Sequence, residues 1–164
     1  MISKKMEAAF NSQIGEELFS AGLYYQMAGW FSANGYDGMA GWMLVQKGEE
    51  QTHAHKFFEH IAQRGGTPVI GAMQAPKAEW KNPLEIFQAA VKHEQHITAC
   101  INKLLDLAHA EKDHAAAEFL QWFVKEQVEE EDSVSKAAQK LERIGSSGAG
   151  LVMMDKELGK RGKA

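Results

Sequence analysis

The stretch Lys47-Gly-Glu-Glu-Gln-Thr-His-Ala-His-Lys-Phe-Phe-Glu-His-Ile61 decides the fold. Read at helical steps of three and four, Glu50, His53 and Phe57 share one face, continued backward through Gln46, Met43 and Met39. That face is apolar at both ends and carries a carboxylate and an imidazole at its middle. A solvated face would not be bounded by Met and Phe in this way. Three other stretches repeat the pattern. The first runs Phe10, Ile14, Glu17, Ala21, Tyr24, Ala28, Phe31, and another runs Phe87, Ala90, Glu94, Ile97, Ile101, Leu104. The last runs Leu120, Phe123, Gln127, Glu130, Val134, Ala137, Leu141, Ile144.

Four long helices follow. The first is expected from about Lys4 to Ser32, ended by Asn34-Gly35, and the second from Asp37 or Gly38 to Arg64, stopped by Gly65-Gly66. Asn82-Pro83 offers an N-cap and a proline at the first helical position, starting a third helix that reaches about Ala110. The fourth spans about Asp113 to Ile144, and Leu151 to Leu158 (within about 150–159) predicts a short fifth. The connections between the first and second helices and between the third and fourth are short, so those pairs form antiparallel hairpins. Residues 67–81, with Pro68, Gly71 and Pro76, are long enough to travel the length of the bundle. The expected architecture is all-α: a four-helix bundle over about 4–144, two hairpins joined by one long crossover, in a single domain of residues 1–164.

Composition is ordinary for a soluble globular chain, with 45% hydrophobic and 24% charged residues among 164. A net charge of −4 argues against generic nucleic-acid binding, and no apolar run approaches a membrane span or a signal peptide. One cysteine, Cys100, excludes an internal disulfide and any paired-cysteine metal knot. A cytoplasmic, reducing setting is the default expectation.

Glu17, Glu50, Glu94 and Glu130 therefore fall among core positions, where an unpaired ionised carboxylate is prohibitively costly. A buried salt-bridge network would need inward-facing Lys or Arg, and the four stripes supply none. Metal is the remaining solution, since four carboxylate charges match two divalent ions. Glu50 and His53, three positions apart, can reach one ion together. Carboxylates with one imidazole suit iron or manganese, and do not exclude zinc. A carboxylate shared between two ions, such as Glu50, would hold them close enough for two-electron reduction of O₂ or peroxide. Tyr24, seven positions after Glu17, is either a hydrogen-bond donor or electron source beside the metals or a plain core tyrosine.

Nearly the whole chain resembles the non-haem bacterial ferritins. The likeness rests on IGEELFSAGLYYQMAGWF around Glu17, the block quoted above, HEQHIT around Glu94, and FLQWFVKEQVEEE. It implies a ferritin-like bundle and a ferroxidase centre, with Glu17, Glu50 and His53 on one iron and Glu50, Glu94 and Glu130 on the second, Gln127 close by. It also implies a third iron site on Glu49, Glu126, Glu129 and Glu130, which the residues alone leave open to being a solvated acidic stretch. Iron storage with ferroxidase activity, acting on Fe²⁺ with O₂ or H₂O₂, is the implied function. A homo-oligomeric shell of twenty-four subunits is implied too, with Leu151 to Leu158 lining a pore. The alternatives are a small di-iron peroxidase or oxidase without storage, and an inert shell subunit.

Haem is not expected, because the position before His53 is Thr52 where bacterioferritins carry a methionine, and helix four carries Gln127-x-x-Glu130 rather than a second Glu-x-x-His. One cysteine cannot build the iron module of rubrerythrins. His55, His60, His93, His96, His109 and His114 read as surface or partly buried residues, and Trp122 as packing. The Lys160-Arg161-Gly162-Lys163 end reads as a solvated tail rather than a nucleic-acid arm.

Overall fold

A computed structural model describes residues 1–161. Its helices are α1 (Lys4–Ala33), α2 (Asp37–Gln63), α3 (Pro83–Ala110), α4 (His114–Ile144) and α5 (Gly148–Leu158). The expected all-α bundle with one crossover and a short fifth helix is the observed one, α5 starting a turn earlier than expected. Its boundaries have local causes. The side chains of Ser3, Asn82, Asp113 and Ser147 accept from backbone N–H groups in the first turns of α1, α3, α4 and α5. Gly65, at φ +76°, turns the chain out of α2 where an L side chain would be strained.

The first turn of α2 is capped from far away. Tyr36 contributes no side-chain cap, and Asp155 of α5 takes that role, accepting from Gly38 N at 3.1 Å and Met39 N at 2.8 Å. The approach needs glycine, because a Cβ on Gly38 would lie 1.9 Å from the Asp155 carbonyl oxygen. This contact docks the fifth helix on the bundle.

The apolar interior is divided in two. One cluster holds Tyr24, Met27, Phe31, Met39, Met43, Phe87, Val134 and Leu141, and Trp80 at the end of the crossover packs into it. The other holds Met6, Phe10, Ile14, Phe57, Ile61, Ile101 and Leu120, and lies at the other end of the bundle. The crossover leaves α2 beside the second cluster, where Thr67 N donates to Glu7 and Asn11 donates to the Thr67 carbonyl. It enters α3 beside the first cluster and so spans the bundle. Between the two clusters lies a buried polar layer: Gln13, Glu17, Ser20, Gln46, Glu50, His53, Glu94, Gln127 and Glu130.

Candidate metal centre

Every helix of the bundle supplies this layer from its middle, where apolar residues one or two turns away fix the backbone. Donor atoms of Glu17, Glu50 and His53 lie within 4.8 Å of one another, and so do those of Glu50, Glu94 and Glu130. Glu50 belongs to both groups and is the shared carboxylate. His53 Nδ1 lies 3.2 Å from Glu50 Oε2 and 3.9 Å from Glu17 Oε2. Among the described residues no Lys or Arg pairs with Glu17, Glu50, Glu94 or Glu130, and the ion pairs of the first two run only to His53.

The neutral donors holding the carboxylates come mainly from amides. Gln13 donates to Glu17 Oε1 at 2.9 Å, and Gln46 donates to Glu50 at 3.3 Å and to Glu130. Gln127 donates to both a side-chain and the backbone oxygen of Glu94, each at 3.3 Å, and Tyr24 donates its hydroxyl to Glu94. Glu17 Oε2 is buried and, among the described residues, has no hydrogen-bond partner. An orphaned carboxylate oxygen facing an imidazole and a second carboxylate fits a cation between them.

Electrostatics agrees. Burial, then the neighbouring Glu50 charge, raises the Glu17 carboxyl well above the ordinary range. The same two causes push Glu94 up to about 7 and Glu130 up to about 8. Burial opposes charge on His53, but its hydrogen bond to Glu50 and the surrounding carboxylates raise it on balance. Burial, followed by the Glu94 charge, raises the Tyr24 phenol well above its usual value, so Tyr24 stays a neutral donor. Without cations these carboxylates must share protons. Two divalent ions would replace the protons and neutralise the layer.

The acidic residues expected at a third site lie beside this layer and on the wall of one cavity of about 500 Å³. Glu49, Glu126, Glu129 and Glu130 all line it. Glu126 also joins His53 and Glu130 in a group whose donor atoms lie within 4.8 Å. Glu49 and Glu129 enter no such group among the described residues. Glu49 is instead held by Arg161, whose guanidinium donates to its Oε2 at 2.6 Å and to Gln46 Oε1 at 2.7 Å, and lies 4.4 Å from the centre of the Trp42 ring. Arg161 is thus docked, which corrects the expectation of a solvated tail at that residue; residues 162–164 lie outside the described ones.

Three contributors were not singled out as functional from the sequence. Gln46 and Gln13 each stand four residues before a buried carboxylate, Glu50 and Glu17, a spacing that reaches the next turn and was the available signal. Arg161 has no local signal, being 112 residues from Glu49. Trp122 packs edge-on against His53, with ring centres 5.5 Å apart, while Lys56 lies over its outer face.

These features define a class, the helical bundle whose middle layer is a carboxylate and histidine centre able to hold two cations. The ferritin-like domain family model matches residues 7–144. A bacterial non-haem ferritin of Bacteroides fragilis (strain 638R) is 39% identical over 161 residues, covering 98% of this chain and 100% of that protein. A bacterial non-haem ferritin of Escherichia coli O157:H7 is 39% identical over 158 residues, covering 96% of each chain. Among solved structures, an open pore ferritin from the hyperthermophilic archaeon Archaeoglobus fulgidus superposes with a TM-score of 0.97 at 43% identity, covering 98% of this chain and 99% of that one. The chain belongs to the ferritin family.

Proposed function

We propose that the protein oxidises Fe²⁺ at the buried layer and stores the product as a ferric mineral inside a shell of its own subunits. The observation that carries this is the pair of donor groups sharing Glu50 in the middle of the bundle. Glu17, Glu50 and His53 would bind one Fe²⁺, and Glu50, Glu94 and Glu130 the other, with Gln127 positioning Glu94. Each Fe²⁺ gives one electron. O₂ takes two electrons and two protons to become H₂O₂, or H₂O₂ takes two electrons and two protons to become two waters.

The chain's own groups set the conditions for that exchange. His53 can supply a nitrogen without adding negative charge, and the carboxyls of Glu94 and Glu130 release protons as cations enter. Tyr24, held on Glu94, fixes that carboxylate and stands within the layer as a candidate electron source. The cavity walled by Glu49, Glu126, Glu129 and Glu130 is the proposed third site and the way out for Fe³⁺. Among the described residues no helix is long and apolar enough to cross a membrane, and we assign the protein to the cytoplasm on the behaviour of its family.

A homo-oligomeric shell, with twenty-four subunits as the family number, is supported by the apolar side chains each subunit leaves uncovered. Val69, Ile70 and Met73 on the crossover and Val152 and Met153 on α5 are more than half or nearly half exposed. The deciding experiment adds Fe²⁺ in air to the metal-free assembled protein, then measures particle mass and iron per subunit. Storage gives a large particle holding far more iron than the buried donors can ligate. A small particle that stops at site stoichiometry would make it a non-storing oxidase.

A further inference from the structure

A second group of metal donors sits on the outer face where α1 meets α3, apart from the buried layer. Glu16 projects from α1, and His96 and Cys100 project from α3 four residues apart, so the last two share one face of their helix. His96 Nε2 lies 2.9 Å from Glu16 Oε2 and 3.6 Å from Cys100 Sγ. One imidazole nitrogen therefore faces both other donors, and the three atoms converge on a common point within 4.8 Å of one another.

From the positions of these three donor atoms we propose that Glu16, His96 and Cys100 bind a borderline divalent cation, Zn²⁺ or Fe²⁺, at a site distinct from the buried centre. Around a tetrahedral ion with bonds of about 2.0 to 2.3 Å, neighbouring donors stand roughly 3.3 to 3.7 Å apart. The nitrogen to sulfur separation already matches. The nitrogen to oxygen pair, now a hydrogen bond, opens by a few tenths of an ångström when the ion takes the proton's place. One thiolate, one imidazole and one carboxylate, with a fourth position open to water, suit zinc or ferrous iron and are too soft for magnesium or calcium. Access is available, since the His96 side chain is 54% exposed and the Glu16 side chain 37%.

The donors stand on two helices that pack against each other, so their spacing is set by the bundle and not by a loop. Burial, then the charge of Glu16, raises the Cys100 thiol, with Lys103 acting the other way, so a bound cation has to displace the thiol proton. Glu16 directly precedes Glu17 in α1, so the outer group lies one residue along the helix from the buried layer. A plain surface pair of His96 and Glu16 would contribute little and would leave Cys100 without a part.

The test uses Co²⁺ as the probe on the assembled protein, with the buried ligands intact. Wild type is expected to show a thiolate to Co²⁺ charge-transfer band in the near ultraviolet and to bind one more Co²⁺ per subunit than Cys100→Ser. Cys100→Ser loses the band, and His96→Ala weakens the extra site by about tenfold or more. Zn²⁺ should slow alkylation of Cys100 by iodoacetamide by about tenfold in wild type, and much less in His96→Ala. Equal Co²⁺ stoichiometry in wild type and Cys100→Ser, a thiolate band that never forms, or alkylation indifferent to Zn²⁺ would each overturn the site. None of these readouts depends on iron oxidation or on storage.

Discussion

The Arg161 guanidinium donates to Glu49 at 2.6 Å while its other nitrogen donates to Gln46 at 2.7 Å. Gln46 in turn donates to Glu50 and Glu130, so the C-terminal arm reaches the shared carboxylate through two successive hydrogen bonds. A fixed positive charge at the cavity that Glu49, Glu126, Glu129 and Glu130 line competes with any cation placed there. Burial raises the Glu49 carboxyl, and Arg161 offsets part of that rise.

Arg161→Gln should therefore strengthen binding at the third site by roughly three- to tenfold, or about 0.7 to 1.4 kcal/mol, a modest figure because Glu49 is partly solvated. Calorimetric titration with Zn²⁺, comparing the weakest class of sites, measures it. An unchanged affinity would mean that Arg161 leaves Glu49 at no cost.

Glu50 stands in both donor groups, so its loss should be felt at both ions. Glu50→Ala is expected to keep the assembled shell and lower the initial rate of Fe²⁺ oxidation by at least about a hundredfold, or some 2.7 kcal/mol of barrier. Stopped-flow absorbance after mixing anaerobic Fe²⁺-loaded protein with O₂ reads it. Near-normal initial oxidation would remove Glu50 from its shared position.

What the sequence disclosed and what it hid divide by range. Helical phase alone places Glu17, Glu50, His53, Glu94 and Glu130 inward, because a residue's face depends only on its neighbours three and four positions away. The same locality shows the bundle and its crossover. Arg161 on Glu49 and Asp155 on α2 are joined only through the folded chain, and no periodicity marks them. Cys100, His96 and Glu16 were each visible, but their convergence requires the packing of α1 against α3. The polar supports Gln13 and Gln46 sat in between, legible as positions four before a buried carboxylate yet ordinary in type.

Asp155 ties α5 to the start of α2, beside the buried Met154 that packs into the core. Asp155→Ala leaves two N–H groups at the start of α2 without their acceptor, and should cost about 1 to 2 kcal/mol of stability. Gly38→Ala should do at least as much, since the new Cβ collides with the Asp155 backbone and forces α5 off its seat. Protease cleavage between α4 and α5 is the direct readout, expected to quicken several-fold in both variants. Wild-type cleavage rates in Gly38→Ala would show that α5 moves aside freely.

The raised carboxyl groups fix the sign of the pH dependence without metal. Between the unfolded value near 4.5 and the folded values of about 7 for Glu94 and about 8 for Glu130, the folded chain binds more protons than the unfolded chain. Stability of the metal-free protein must therefore fall as pH rises through that window. His53 acts in the same direction, because its raised value gives stability that is present below pH about 6.5 and lost above. Urea unfolding at fixed assembly state should show a lower midpoint at pH 8 than at pH 5.5, and binding of Zn²⁺ should tighten over the same range. A midpoint that rises with pH would mean that these carboxylates are charged and well paired before metal arrives.

Glu94 separates the effect of its charge from the effect of its hydrogen bonds. Tyr24 is fully buried and its hydroxyl donates to Glu94, whereas Gln127 also donates to the Glu94 backbone oxygen and to Thr98. Glu94→Gln removes the charge and keeps an acceptor for Tyr24. Glu94→Leu removes the charge and leaves the Tyr24 hydroxyl buried without a partner, at about 1 to 3 kcal/mol. With a folded value of about 7, wild-type Glu94 at pH 8 carries a penalty on the order of 3 kcal/mol, which shrinks to less than about 1 kcal/mol at pH 5. Metal-free Glu94→Gln should thus be more stable than wild type at pH 8 by up to that amount, and nearly equal to it at pH 5. Glu94→Leu should lie below Glu94→Gln at both pH values and fall below wild type at pH 5. Both variants should bind the second metal weakly. Chemical denaturation of the three proteins at the two pH values decides the matter. If Glu94→Gln is less stable than wild type at pH 8, then Glu94 is held as a charged partner by the protein itself, and metal is not what its burial is for.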